Sequence, residues 1–280
     1  MAMLRRFVHT ALLCAIIFIG LYFDNDRQNQ RERPLTNLPY AQQMAESEAV
    51  LEGQDLASLQ ENLSLHLTYS NRFLSERSID AMLRQFDHLD HPIVYRSNLS
   101  NHQPYTMSAL GIDNRHHLAN VYLEGYAPFT VENVMIPLYV LAQRKSYQLD
   151  SKHYWGKEDV WQSSRQAFYY SRGDCEDHAI ILADWLITLG EDARVVVGNW
   201  GGEGHAWVIL FKDGIEYLLE ATRKSGLGRN RPYPLAALHP EYHPEYMFDQ
   251  SGFWVNNGSV YTTNYSGKHW QKQSTVWIKE

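Results

Sequence analysis

The chain has 280 residues, of which 44% are hydrophobic, and its formal net charge is -7. This size and composition indicate a globular protein of one large or two small domains. The acidic balance and the lack of a Lys/Arg cluster interleaved with aromatic residues exclude nucleic acid as an expected partner. Of the two cysteines, Cys14 lies in an apolar N-terminal run, so Cys175 has no partner for an internal disulfide in the rest of the chain.

The N-terminal run from residue 7 to residue 23 is nearly all apolar, and Arg5 and Arg6 precede it. No small-residue cleavage site ends the run, so we predict an uncleaved membrane anchor over residues 1–24 rather than a removed signal peptide. The two arginines place the body of the protein on the extracytoplasmic side, in the periplasm or at the cell surface. A polar linker is expected over residues 25–40.

Residues 41–129 carry no chemical motif. Apolar residues spaced three and four apart predict helix from Ala41 to Leu67, and a second helical stretch runs from about Ser78 to Leu89. We therefore expect a helical and irregular N-terminal region that packs on the rest of the chain, covers its site or binds a partner.

Residues 130–228 are expected to form the core, organised around the string Arg172-Gly173-Asp174-Cys175-Glu176-Asp177-His178-Ala179. Asp174 is a favourable N-cap, and apolar residues recur on one helical face from Cys175 until Gly190 ends the helix. At a helix start, free backbone N–H groups stabilise a thiolate, so we expect a lowered pKa for Cys175. The same N–H groups can bind an oxyanion.

A hairpin follows, in which Asp213-Gly214 is the predicted two-residue turn. Counting back from this turn pairs Lys212 with Ile215 and sets Trp207 opposite Glu220. His205 lies two residues before Trp207 on the same face, so Glu220 can hold one imidazole nitrogen and leave the other for a thiol.

These residues resemble the transglutaminase-like superfamily, a papain-related group. The strings Asp159-Val160-Trp161-Gln162-Ser163 and Gly173-Asp174-Cys175-Glu176-Asp177 are similar to those of the bacterial transglutaminase-like cysteine proteinases. The resemblance implies an α+β fold in which a Cys-headed helix packs on an antiparallel sheet. It also implies that Cys175 is the nucleophile, His205 the general base and Glu220 the orienting carboxylate, where many members carry aspartate.

Three further residues are candidates for the site. Gln162, by its amide, or Trp161, by its indole N–H, is a possible oxyanion donor, and Trp207 is a possible wall of the acyl site. Core packing is the favoured explanation for Trp161 and explains Trp207 equally well. Some relatives bind calcium at the Asp-Cys-Glu-Asp string, but capping of the helix is the more economical interpretation, so we predict no metal and no cofactor.

The last segment, residues 229–280, is rich in aromatic residues and threonine and contains the tandem tetrapeptides His239-Pro240-Glu241-Tyr242 and His243-Pro244-Glu245-Tyr246. Prolines in both copies make a helical metal site improbable there. We expect this segment to add β-strands to the core sheet.

The sequence therefore predicts an extracytoplasmic, membrane-anchored thiol enzyme that transfers acyl groups from peptide or amide bonds of a protein or peptide substrate. The proteinase-like string favours hydrolysis over transfer to an amine. The alternative is a non-catalytic binding or scaffold module, because this fold is also used without turnover.

Overall fold

The computed structural model describes residue 56 and residues 62–98, 102–222 and 234–278. Strands and a few helices make up this part of the chain. The strands are β1 (Leu63–Leu67), β2 (Arg72–Ser75), β3 (Ile93–Arg96), β4 (Pro104–Leu110), β5 (His116–Leu118), β6 (Ser146–Tyr147), β7 (Arg172–Gly173), β8 (Asp192–Trp200), β9 (Glu203–Lys212), β10 (Ile215–Leu219), β11 (Tyr242–Phe248), β12 (Gly252–Asn256) and β13 (Trp270–Ile278). The helices are α1 (Glu76–Arg84), α2 (Ile136–Arg144), α3 (Asp150–His153), α4 (Ser164–Tyr169) and α5 (Cys175–Thr188), with 3-10 turns at Ala119–Tyr122 and Ala236–Leu238.

The main sheet has eight strands in the order β10-β9-β8-β11-β12-β13-β1-β2, and every neighbouring pair is antiparallel. A second antiparallel sheet has the order β3-β4-β5, and β6 and β7 form a short parallel pair. The predicted antiparallel sheet with a Cys-headed helix is thus confirmed. The expected C-terminal strands are also present, and they lie in the middle of the main sheet.

The first predicted helix, from Ala41 to Leu67, is wrong at its end, where the structure has a strand. Leu63–Leu67 forms β1, which pairs with β13 on one side and β2 on the other, so it is an inner strand of the main sheet. Leucines at alternate positions fit a strand as well as a helix when the apolar run is this short. The second predicted helix is present as α1, displaced toward Glu76–Arg84.

The core lies on both faces of the sheet, because alternate residues of β9 point in opposite directions. Ala206, Val208 and Leu210 belong to the large cluster that also contains the buried residues of α5. Trp207 and Ile209 belong to a second cluster on the other face. At the start of β9, Ala206 therefore lies on the face that packs against α5, and Trp207 lies on the opposite face.

The predicted anchor over residues 1–24 and the linker over residues 25–40 lie outside the described residues, and both stay predictions. Within the described ranges, none of the helices has the length and apolar character needed to span a bilayer.

Strand β11 contains an irregularity that matters for the site. Its pairing with β8 shifts register between Pro244 and Tyr246. A bulge of this kind inserts one extra residue, so side chains before and after it change faces. Tyr242 consequently packs in the second cluster, whereas Tyr246 packs against the large cluster.

The close approach of β8 to β11 requires glycine at position 198. A Cβ atom at Gly198 would lie 2.2 Å from the backbone oxygen of His243, which cannot move without disturbing the sheet. We expect Gly198→Ala to lower the free energy of unfolding by about 1–3 kcal/mol, measured by urea denaturation.

Gly204→Ala is the matched control for this prediction. Gly204 lies in the neighbouring strand, and a Cβ atom there would meet nothing within 4 Å. Its effect should stay within about 0.5 kcal/mol. Equal losses of stability in the two variants would contradict the close-approach explanation.

Candidate active site at the start of α5

Helix α5 begins at Cys175, as predicted, and Gly190 follows its end with a φ of 89°. Asp174 occupies the N-cap position, but its side chain makes no capping hydrogen bond. The predicted capping role of Asp174 is therefore wrong. Its carboxylate instead joins Asp150, Glu176 and Asp177 in a buried group.

Cys175 is partly exposed and lies against the start of β9, because the backbone N–H of Ala206 is directed at its thiol. Its Sγ atom also donates to Oε2 of Glu176 over 3.4 Å. Burial raises the pKa of Cys175 to about 12, and the charge of Asp174 raises the pKa further against the Ala206 and Glu176 hydrogen bonds. The predicted lowering of this pKa is wrong, since burial and a neighbouring carboxylate outweigh the helix terminus.

The predicted hairpin is confirmed. Lys212 pairs with Ile215, and the turn residues Asp213 and Gly214 have φ values of 54° and 73°. Positive φ at both central residues is the requirement of a type I′ turn. This register carries Glu220 to His205, whose Nε2 lies 2.7 Å from Oε2 of Glu220.

Glu220 is surrounded by donors on both carboxylate oxygens. Tyr242 donates its hydroxyl to Oε2 over 3.2 Å, and Thr222 donates its backbone N–H and its hydroxyl to Oε1 over 3.0 and 2.5 Å. Burial alone would raise the pKa of Glu220, but the hydrogen bonds and charge of His205, together with Thr222, hold this pKa below its usual value. Glu220 is therefore held as a carboxylate against the imidazole.

The three candidates for the oxyanion and substrate positions lie inside the protein. Trp161 stacks on Phe248, and Trp207 is buried beside the His205 ring at a centroid distance of 6.1 Å. The amide nitrogen of Gln162 donates to Tyr154 and to the backbone oxygen of Arg172. Their proposed roles stay predictions, and each of the three side chains has a packing or bracing role in the structure.

Trp200 is the exposed aromatic residue beside the candidate base. It is 44% exposed, and its ring lies 5.7 Å from the ring of His205. It therefore borders the site on the solvent side, where the buried Trp207 does not reach.

Four buried carboxylates meet at the start of α5: those of Asp150, Asp174, Glu176 and Asp177. One oxygen from each lies within 4.8 Å of all the others. Each residue also has one buried side-chain oxygen without a hydrogen-bond partner, namely Asp150 Oδ1, Asp174 Oδ1, Glu176 Oε1 and Asp177 Oδ2. Burial and the charges of Asp177 and Asp174 raise the pKa of Asp150 to about 9. Such a set of hard oxygen donors fits Ca²⁺.

Lys145 supplies a positive charge beside these carboxylates. Its Nζ atom is buried and donates to the backbone oxygens of Ala167, Tyr170 and Arg172 over 2.6, 3.1 and 3.5 Å. Burial lowers the pKa of Lys145 to about 8, against the opposing charge of Asp177. Lys145 thus ties α4 and β7 together immediately before Cys175.

Asp150, Lys145 and Tyr242 belong to the site but were not predicted from the sequence. Asp150 and Lys145 lie 20 or more residues before Cys175 in segments without a motif, so no local pattern signals them. Tyr242 lies in the tandem tetrapeptide, whose histidines and glutamates suggested only a metal site, and the prolines argued against that site.

Replacing Lys145 should loosen the segment that precedes Cys175. In Lys145→Met the three backbone oxygens lose their buried donor, so we expect the free energy of unfolding to fall by about 1–3 kcal/mol in urea denaturation. Lys212→Met is the control, because the Lys212 ion pair with Glu191 is partly exposed and solvent screens it. A loss for Lys212→Met as large as that for Lys145→Met would contradict this role.

Comparison with known proteins gives one family model. Residues 159–276 match the model of the CEP76 peptidase-like domain. Centrosomal protein of 76 kDa from Xenopus tropicalis is 40% identical over 55 residues, which cover 19% of this chain and 8% of that protein. Protein CC2D2B from Homo sapiens is 33% identical over 61 residues, which cover 22% of this chain and 4% of that protein. The match therefore spans less than a tenth of either relative.

Among solved structures, calcium-bound LapG from Legionella pneumophila is similar with a TM-score of 0.37 and 19% identity, over 53% of this chain and 81% of that one. The segment that matches the family model contains Cys175, His205 and Glu220 and extends into β13. Within this segment a Cys-headed helix packs on an antiparallel sheet, which is the arrangement that the resemblance to the transglutaminase-like superfamily implies.

Proposed function

We propose that the protein is a thiol-dependent enzyme that cleaves peptide or amide bonds through an acyl-enzyme intermediate. The contact between His205 Nε2 and Glu220 Oε2, at 2.7 Å, is the observation that carries this proposal. It fixes one imidazole nitrogen on a carboxylate and leaves Nδ1 for a proton transfer. The nucleophile, base and orienting group of acyl-transfer enzymes are related in this way.

A backbone contact links the Cys175 thiol to the strand that carries His205. The Ala206 N–H that is directed at the Cys175 thiol belongs to the residue that follows His205 in β9. In the proposed reaction, the Cys175 sulfur attacks the carbonyl carbon while His205 accepts the thiol proton. His205 then gives this proton to the leaving amine, and water hydrolyses the thioester.

Glu220 and the start of α5 stabilise the charges that develop in this reaction. The carboxylate of Glu220 stabilises the imidazolium and holds the ring orientation. Free backbone N–H groups at the first turn of α5 bind the oxyanion of the tetrahedral intermediate. Whether water or an amine accepts the acyl group separates a hydrolase from a transglutaminase, and the proteinase-like string supports hydrolysis.

We expect Glu220→Gln to lower kcat/KM by on the order of 10²- to 10⁴-fold, because the amide neither orients the imidazole correctly nor stabilises its charged form. Cleavage of casein by the full chain is the measurement, with ammonia release and amine incorporation on a glutamine peptide as the transferase assay. Cys175→Ala should abolish whichever activity is found.

Glu241→Gln is the matched control. Glu241 contacts His239 over 3.0 Å in a more exposed His–Glu pair, and its removal should leave the activity unchanged. Absence of both activities in the wild-type chain would contradict the enzyme proposal and favour the non-catalytic binding module.

A second proposal concerns the four carboxylates at the start of α5. We infer that Ca²⁺ binds there, held by Asp150, Asp174, Glu176 and Asp177, because each contributes a buried oxygen without a hydrogen-bond partner. When bound, the ion would supply positive charge that neutralises these carboxylates. Its role would be structural, since it would join α3 to the first turn of α5.

Calcium should therefore stabilise the fold. At a concentration about 100 times its dissociation constant, Ca²⁺ should raise the free energy of unfolding by about 2.7 kcal/mol, measured by thermal and urea denaturation with and without a chelator. Asp150→Asn should remove most of this increment. Asp192 is an exposed carboxylate outside this group, so Asp192→Asn should retain the calcium-dependent increase in stability. A stability that does not respond to Ca²⁺ would overturn this second proposal.

A further inference from the structure

Tyr242 completes the set of groups around the orienting carboxylate. Its hydroxyl lies 3.2 Å from Oε2 of Glu220, the same oxygen that His205 contacts. An ionised carboxylate accepts hydrogen bonds and donates none, so the phenol of Tyr242 is the donor. Hydrogen bonds to a charged acceptor are stronger than those between neutral groups.

The ring of Tyr242 is also fixed by its neighbours. Its side chain is buried, and its ring centroid lies 5.1 Å from that of Trp207 and 6.1 Å from those of His205 and Trp200. The hydroxyl therefore reaches Glu220 from a ring packed in the second cluster. The Tyr242 side chain thus lies beside both the Glu220 carboxylate and the His205 imidazole that this carboxylate orients.

The tandem tetrapeptide contains two tyrosines, and a register shift in β11 determines which of them reaches the site. The register shift between Pro244 and Tyr246 turns the second copy to the other face of the sheet. There Tyr246 stacks on Phe253, and its hydroxyl accepts from Arg96 over 3.4 Å. The two copies share a sequence, and their hydroxyls have different partners.

We propose that Tyr242 is a positioning residue that keeps Glu220 ionised and aligned with His205. The inference deepens the proposed function and rests on it for the catalytic consequence. The groups that face Glu220 are His205 from β9, Thr222 from the segment after β10, and Tyr242 from β11. Tyr242 is the member of this set contributed by the C-terminal strands.

Tyr242→Phe tests the inference by removing one oxygen atom and leaving the packed ring. Loss of a donor to the carboxylate should raise the pKa of Glu220 by about one pH unit, followed by ¹³C NMR of the labelled carboxyl carbon and assigned with Glu220→Gln. The kcat for casein cleavage should fall by about tenfold, with KM close to the wild-type value.

Tyr246→Phe is the control from the other copy of the tetrapeptide and should change neither quantity. A Glu220 titration midpoint unchanged in Tyr242→Phe, or equal shifts in the two variants, would overturn the inference. If Tyr242→Phe does not fold, 3-fluorotyrosine introduced at position 242 provides the second test. Its more acidic hydroxyl should lower the midpoint, and an unchanged midpoint would again overturn the inference.

The same experiment separates the inference from the proposed function. The titration midpoint of Glu220 reports the Tyr242 contact whether or not the protein is an enzyme. A shifted midpoint in a chain whose activity survives Cys175→Ala would overturn the proposed function and confirm the Tyr242 contact alone.

Discussion

The structure of the site depends on the pairing of β9 with both of its neighbours. β9 is bonded to β8 on one side and to β10 on the other, and the tight turn at Asp213 and Gly214 sets the second register. This pairing delivers Glu220 to His205. It also presents the backbone of Ala206 to Cys175, so a single strand relates all three candidate catalytic residues.

Electrostatics at the start of α5 work against the simple expectation for a helix terminus. A helix start favours an anion, but here the dipole acts on a thiol that is surrounded by carboxylates. Asp174 raises the pKa of Cys175, and Lys145 directs its amino group at backbone oxygens. The positive charge of Lys145 stands against four carboxylates, and a bound divalent cation would supply further positive charge.

Features that are set by residues close together in the sequence could be predicted, and features that depend on distant residues could not. The Asp-Gly turn fixes a hairpin within about ten residues on either side, so the His205–Glu220 contact was predicted correctly. Cys175 at the head of α5 was likewise a local pattern. Asp150 and Lys145 flank β6, whose short parallel pairing with β7 brings them close to Cys175, and no periodicity in the sequence signals this pairing.

The misassigned segments have equally specific physical causes. Leu63–Leu67 is too short for its spacing to separate strand from helix, and its partner β13 is remote in sequence. Asp174 was predicted to cap the helix from its position at the helix start, but its side chain makes no capping hydrogen bond and lies among the buried carboxylates. A bulge in β11 separates Tyr242, which reaches Glu220, from Tyr246 on the other face of the sheet, and a bulge depends on the pairing of two strands.

The pairing of β1 with β13 has a consequence for the order of assembly. Strand β2 follows β1 directly, but Leu63 pairs with Ile278, so more than 200 residues must be synthesised before β1 finds its second neighbour. Contacts this distant slow folding, and an open edge of an apolar strand is prone to aggregate in the meantime. During translation, the edge of Leu63–Leu67 that later pairs with β13 therefore stays open until β13 leaves the ribosome.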